Sequence, residues 1–501
     1  MVLKTDSKII YSSNIKIPIS KILDIDKLKS DFTKDNPKYA KIKKYSKYEF
    51  TREKPYIQYY TLTNNHVYLP IGSNIYPYLF EPRNINMIDN RVFTQVTYPD
   101  FLLTLRSDQL KCANNYIADN QNPYLLRGSI QMPTGKGKSI LGLYLAHYYK
   151  AKTLIVVHKD DLVRGWKEDV ALSFGNNISV GIIKAKSRVV GEQITIATIQ
   201  TLSKLPKEEL EVLFNTFGMV IQDEMHHCPA SSFELVNKFN CRYRLGLTAT
   251  PEREDGLSDV MNYYFGDFST VIESSNEDEY GDILPVKVKR IDIPFSYIPY
   301  CYLDSKSGKY KLCKNDNIKE SIPINQLPFE NRPNISHLTL DKKVVSSNLS
   351  IYSNYIINTY NKGFSVIAFL AQKEQVRNLK EFLVKKGVPE NDIGLYYGDT
   401  SQKENENILK TAETKRKYIT LTTYSKATEG TNVKQWEVAF LISSIKSGKN
   451  LEQAIGRIRR SKKDNKLKEV IVYDFRYPNV YLLKNHTYSK DLRYKKLKII
   501  N

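Results

Sequence analysis

From Ser129 onward, short runs of apolar and β-branched residues alternate with longer stretches whose apolar positions recur at helical spacing. Short apolar runs bounded by polar turns read as strands buried on both faces. Strands alternating with helices make parallel α/β units. The first series comprises Thr153-Leu154-Ile155-Val156-Val157, Ile194-Thr195-Ile196-Ala197, Met219-Val220-Ile221 and Tyr243-Arg244-Leu245-Gly246-Leu247, with a helix from Asp160 to Phe174 between the first two. The pattern then lapses. Residues 296–335 carry Pro299, Pro323, Pro328 and Pro333 among polar residues, which reads as a linker or insertion. A second series follows in Phe364 to Phe369, Ile393 to Tyr397, Tyr418 to Thr422, Val438 to Ile442 and Val470 to Tyr473. The expected organisation is an N-terminal module over 1–87, a first α/β lobe over 88–295, the 296–335 segment, and a second α/β lobe over 336–501.

Composition narrows the class. The chain has 501 residues, more than one core usually organises, with 41% hydrophobic and 26% charged residues, as expected of a globular protein. No apolar run is long enough to span a membrane, and Met1-Val2-Leu3-Lys4-Thr5-Asp6 lacks a secretory apolar stretch. Cys112, Cys228, Cys241, Cys301 and Cys313 form no C-x-x-C pair and read as scattered reduced thiols. The expectation is an intracellular monomer without membrane contact, in a host cytoplasm, a virion or a nucleus. Lys and Arg number 75 against 54 acidic residues, a net charge of +21. Such a balance attracts phosphate backbones through counterion release.

The strongest local chemistry is Pro133-Thr134-Gly135-Lys136-Gly137-Lys138-Ser139, between a strand (Gly128 to Gln131) and a helix (Ser139 to Tyr149). Glycines let the loop turn its N–H groups onto phosphates, and the helix N-terminus adds positive potential. Lys138 reaches the terminal phosphates, and the Ser139 hydroxyl can ligate Mg²⁺. Met132 stands where the general pattern has glycine. A second run, Val220-Ile221-Gln222-Asp223-Glu224-Met225-His226, ends a strand in two carboxylates. Asp223 is suited to hold Mg²⁺, and Glu224 to polarise an attacking water. ATP and Mg²⁺ are the implied cofactors.

With these residues in place, the chain resembles superfamily 2 helicases. Asp223-Glu224-Met225-His226 is similar to their D-E-x-H box. Arg106-Ser107-Asp108-Gln109 resembles the L-R-x-x-Q element that recognises adenine, and Thr248-Ala249-Thr250 the element coupling hydrolysis to strand movement. Thr428-Glu429-Gly430-Thr431-Asn432 resembles motif V, with Asn432 where many relatives have Asp. Gln453-Ala454-Ile455-Gly456-Arg457-Ile458-Arg459-Arg460 resembles motif VI, Q-x-x-G-R-x-x-R. Thr248-Ala249-Thr250 followed by Arg253-Glu254-Asp255 resembles XPB-like translocases, phage UvsW-like helicases and helicases of large DNA viruses.

The resemblance implies an α/β fold of two tandem RecA-like lobes with a small N-terminal accessory domain. It implies that His226 joins Thr248 and Thr250 in coupling, and that Arg457 and Arg460 act on the γ-phosphate. An arginine finger of this kind is worth about 10³–10⁵ in rate. It also directs His158, Lys159, Thr198, Gln200 and Thr201 of the first lobe, and Gln372, Thr422 and Thr423 of the second, toward a sugar-phosphate track. Hydroxyls, amides and backbone N–H groups bind phosphate without reading sequence.

The implied function is ATP-dependent translocation on single-stranded, duplex or branched DNA, with remodelling of duplexes or transcription complexes. An RNA helicase and the motor subunit of a restriction enzyme are the alternatives. Residues 1–87, with Lys41-Ile42-Lys43-Lys44-Tyr45 and further tyrosines, read either as a DNA-binding module or as a packed domain with a basic face. As a separate module, their removal should leave a folded core.

Overall fold

The computed structural model describes residues 8–45, 53–82, 86–122, 124, 128–133, 135–227, 230–249, 256–272, 284–305, 307–313, 321–328, 331–333, 335–427, 433, 435–445, 448–459 and 469–499. The chain divides into two compact units, 1–273 and 274–501.

The first unit is built on an eight-stranded sheet. Its strands run in space Ser187–Arg188, Val180–Lys184, Ile194–Thr198, Thr153–Val157, Met219–Gln222, Tyr243–Thr248, Ser129–Gln131, Phe268–Val271. All neighbours are parallel except the Val180–Lys184/Ser187–Arg188 hairpin. Thr153–Val157, Ile194–Thr198 and Met219–Gln222 are buried at every position, as continuous apolar runs require of strands covered on both faces. The strand expected at Gly128 to Gln131 occupies Ser129–Gln131, and the helix expected from Asp160 is Asp160–Phe174.

The N-terminal residues form their own five-stranded sheet, ordered Thr61–Leu62, His66–Pro70, Asn14–Pro18, Ile9–Tyr11, Met87–Asp89. Its core is continuous with that of the first unit. Ile9, Ile15, Ile17, Val67 and Leu69 belong to one buried cluster with Val236, Val260, Met261 and Phe265. Gly72 donates its N–H to the Tyr263 carbonyl, and a side chain at Gly72 would strike the backbone of Phe265 and Gly266. The N-terminal sheet therefore runs past residue 87, to Asp89, and lies within the same compact unit.

The second unit has six parallel strands ordered Val286–Asp292, Val470–Arg476, Val438–Leu441, Val366–Leu370, Ile419–Thr423, Ile393–Tyr396. Val286–Asp292 lies within the span assigned to the first lobe from the chain order. It pairs with Val470–Arg476 along its whole length and belongs to the second sheet. The proline-bearing 296–335 segment holds a three-stranded sheet of Tyr300–Asp304, Lys309–Leu312 and Ile322–Pro323, and buries Cys301, Ile324 and Leu327 in the second unit's core.

Candidate functional site

Three strands bring the candidate ATP residues to one sheet edge. Tyr243–Thr248 lies between Ser129–Gln131 and Met219–Gln222, with Thr248 level with Gln131 and Gly246 level with Gln222. All three are parallel, so the glycine loop, the acidic box and the T-A-T segment leave from the same edge. Ligands of open α/β sheets bind at the carboxyl ends of strands for this reason.

Two glycines of the loop adopt backbone angles that other residues rarely reach. Gly135 has φ 88° and Gly137 φ 73°, left-handed values at which glycine carries no steric cost. Gly137 precedes the helix Lys138–Tyr149. The Gln109 amide packs on it, donating to the carbonyls of Lys136 (3.3 Å) and Gly137 (3.0 Å), while its oxygen accepts from the Arg106 N–H (2.9 Å). Arg106 and Lys136 each lie 3.5 Å from an oxygen of Asp108. The Arg106–Gln109 element is thus fastened to the phosphate loop.

Lys138 is buried, donates to the Met132 carbonyl at 3.2 Å and stands 3.9 Å from Glu224 Oε1. Asp223 is buried as well. Its Oδ2 accepts from Trp166 Nε1 at 2.9 Å and its Oδ1 from the Glu224 N–H at 2.9 Å. Burial, reinforced by the neighbouring Glu224 charge, pushes the Asp223 carboxyl above the ordinary range, against the Trp166 hydrogen bond and Lys138. Glu224 has φ 45°, a left-handed conformation costing about 1–2 kcal/mol outside glycine. Two carboxylates facing one ammonium suit a divalent cation that arrives with a polyphosphate. Among the described residues no cluster of three or more His, Cys, Asp or Glu could hold a metal alone. Mg²⁺ is commonly held in that way, by one or two carboxylates plus substrate phosphates.

The acidic box and the T-A-T strand are physically joined: His226 Nδ1 lies 2.6 Å from Thr248 Oγ1 and 3.5 Å from Glu224 Oε2. Of the other candidates, Pro133 and Ser139 lie on the loop and the first helical turn. Gln453 is buried on the helix Gly448–Ile458, which also carries the backbone of Arg457. Thr134, Thr250, Gly430 and Arg460 lie outside the described residues, as do Arg253-Glu254-Asp255 and Asn432.

The expected first-lobe strand contacts converge. His158, Lys159, Thr198, Gln200 and Thr201 line one cavity of about 480 Å³. Gln200 donates to the His158 carbonyl at 2.6 Å, and Thr198 Oγ1 to Thr201 Oγ1 at 2.8 Å. Two basic residues that sequence reasoning missed, Arg188 and Lys204, line the same cavity. Arg188 ends the Val180–Lys184/Ser187–Arg188 hairpin, and the sequence Val180-Gly181-Ile182-Ile183-Lys184 shows no alternation that would have announced it. In the second unit Gln372 caps the helix Lys373–Lys385 and donates to the Leu338 carbonyl at 2.7 Å. Thr422 does not face a strand track. It is fully buried, and its hydroxyl donates to the Tyr396 carbonyl at 2.6 Å. Thr423 beside it is buried as well, with its hydroxyl 3.4 Å from that of Ser425.

A phosphate-type loop and a carboxylate pair on one parallel sheet, followed by a second parallel α/β unit, define a two-lobed P-loop nucleotide-binding protein. Known proteins agree. Residues 102–253 match the type III restriction enzyme res subunit family, and residues 348–462 the helicase conserved C-terminal domain; together they span more than half of the chain. The chain belongs to superfamily 2 of the helicases. It is 27% identical over 334 residues to the Acanthamoeba polyphaga mimivirus protein L396, which carries an ATP-dependent RNA helicase name; the match covers 66% of this chain and 57% of that protein. It is 36% identical over 169 residues to the DNA 3'-5' translocase XPB2 of Sulfurisphaera tokodaii, covering 33% of this chain and 36% of the relative. The chain thus spans little more than half, or less, of these relatives' lengths. Among solved structures, S. cerevisiae Dbp5 bound to RNA and ADP BeF3 superposes with TM-score 0.52 at 14% identity, over 78% of this chain and 88% of that one. That likeness is one of fold. Among the described residues no helix is long and apolar enough to cross a membrane.

Proposed function

We propose that the protein is a DNA-dependent ATPase that couples hydrolysis to translocation on DNA and to remodelling of duplex or branched structures. The observation that carries this reading is the convergence of Lys138, Asp223 and Glu224 at one sheet edge, with His226 bonded to Thr248 beside them.

In the reaction a water oxygen bonds to the γ-phosphorus as the bond to the β–γ bridging oxygen breaks, giving ADP and phosphate. Glu224 orients the water and takes its proton, once released from its contact with Lys138. Lys138 and the loop N–H groups hold the phosphates and balance the charge leaving with ADP. Asp223 and the Ser139 hydroxyl would hold Mg²⁺, which would supply further neutralisation of phosphate charge. Arg457 and Arg460 act on the charge of the transferred phosphoryl group. A change at Glu224 can reach the T-A-T strand through His226, which contacts both Glu224 and Thr248.

DNA is favoured over RNA by the XPB2 relative, named as a DNA translocase, and by Arg253-Glu254-Asp255. The RNA reading has its own support in the mimivirus relative's name. ATPase assays with single-stranded DNA, duplex, forked DNA and RNA at matched saturation separate the two. DNA of unrelated sequence should stimulate turnover more than RNA of equal length, because backbone contacts ignore base identity. Stimulation by RNA alone would replace the DNA assignment. Lys138→Ala should abolish turnover, and Glu224→Gln should bind ATP without hydrolysing it; near-normal turnover in either variant would remove the proposed site.

A further inference from the structure

The C-terminal helix Leu483–Lys496 lies beyond both matched families, and its buried face sets the polar side chains His486 and Lys490 between Leu483 and Tyr494. His486, Lys490 and Arg493 fall on one side of it at helical spacing. His486 Nδ1 lies 2.8 Å from Ser444 Oγ, and Ser444 in turn donates its N–H to the buried Asp341 at 2.6 Å. Lys490 forms a buried ion pair with Asp474. Arg493 forms an ion pair with Glu452, with the two side chains only 19% and 12% exposed. Arg493 also lies along Gly448, where a Cβ would approach its Nε to 3.4 Å. His486 and Arg493 thus grip both ends of the segment 444–452 that leads into the helix Gly448–Ile458.

That helix carries Gln453 and Arg457. Leu451, Ala454, Ile455 and Ile458 pack into the apolar core together with Tyr494 of the C-terminal helix. Apolar packing is non-directional and tolerates small rotations about the helix axis. A directional ion pair at Glu452 resists them. It sits one residue from Gln453, so any rotation it permits is passed on rigidly to the Gln453–Arg457 face. Partly buried ion pairs contribute little net stability, and their best-attested use is to specify register.

We propose that Arg493 is a positioning residue for the ATPase reaction, setting the azimuth of the Gly448–Ile458 helix through Glu452 so that Arg457 meets the γ-phosphoryl group. The proposal rests on the reading that Arg457 acts on the nucleotide. Misplacement of a catalytic group by about 1 Å can cost on the order of 10²-fold in rate.

The test measures DNA-stimulated ATPase kcat, ATP-analogue affinity and melting temperature for full-length variants, each assayed well below its melting point. Arg493→Met keeps the packing of the side-chain stem and removes the charge. It should lower kcat by about 10–100-fold, with analogue affinity within about threefold of wild type. Glu452→Gln should do the same. The swap Glu452→Arg with Arg493→Glu should regain most of the loss, even if one single variant folds poorly. Arg457→Ala is the control. If it loses kcat while Arg493→Met and Glu452→Gln keep theirs, the positioning role is overturned and the arginine reading stands. If Arg457→Ala itself retains kcat, the arginine reading falls. A swap that folds yet stays as slow as the single variants overturns the pairing.

Discussion

Deleting residues 1–87 is the perturbation on which sequence pattern and tertiary structure disagree most. As a separate module the segment should come away cleanly. In the structure it covers the helix Asp259–Phe265. The rings of Phe32 and Tyr59 lie 4.8 and 5.4 Å from that of Tyr263, whose hydroxyl donates to the Asp31 carbonyl at 2.9 Å. Asn14 accepts from Asn237 at 2.6 Å. Val260, Met261, Tyr264 and Phe265 are at most 3% exposed. Returning four such side chains to water costs about 1.5–3 kcal/mol each, on the order of 6–12 kcal/mol in all. If the N-terminal sheet supplies half of that burial, the loss is roughly 3–6 kcal/mol, a large share of the ~5–15 kcal/mol that holds a typical domain together. The assay compares 88–501 with the full chain in a Trp436→Phe background. Trp166 is then the sole tryptophan, and its fluorescence follows the first unit alone. The truncated protein should melt about 10 °C or more lower, or collect in inclusion bodies. Cooperative melting within about 3 °C of the full chain, with ATPase intact, would refute the shared-core argument.

Two further outcomes follow from buried partners. Trp166→Phe removes the donor to Asp223 and should cost about 1.5–3 kcal/mol of stability while raising the Mg²⁺ concentration needed for half-maximal ATPase; unchanged urea midpoint and Mg²⁺ dependence would count against it. Lys490→Met should cost about 3–5 kcal/mol at neutral pH by stranding Asp474, whose carboxyl burial already holds above its ordinary range. A carboxyl raised in the folded state keeps its proton to higher pH than in the unfolded chain. The penalty is therefore full above the folded pKa, shrinks as pH falls and vanishes below the unfolded value. Urea melts at pH 7.5 and 5 should show a smaller deficit at the lower pH, and an equal deficit at both would contradict the assignment.

The sequence by itself determined the elements whose cause is local. Apolar runs such as Thr153–Val157 declare strands covered on both faces, and Gly135, Gly137 and Lys138 declare a phosphate loop, because backbone freedom and charge there belong to adjacent residues. Asp223 and Glu224 were legible as a strand-end carboxylate pair for the same reason. Tertiary structure alone decided what depends on chain reversal. Val286–Asp292, an edge strand of alternating Lys and apolar residues, belongs to the second sheet only because it pairs with Val470–Arg476, more than 180 positions away. Trp166 becomes the partner of Asp223, and Arg493 of Glu452, through contacts that no local periodicity encodes. Thr422 is fully buried because the strand Ile419–Thr423 is covered on both faces, which only the completed packing of the second unit decides. Local sequence sets dihedrals and periodicity; which distant side chains then meet is decided by the packing that buries them together.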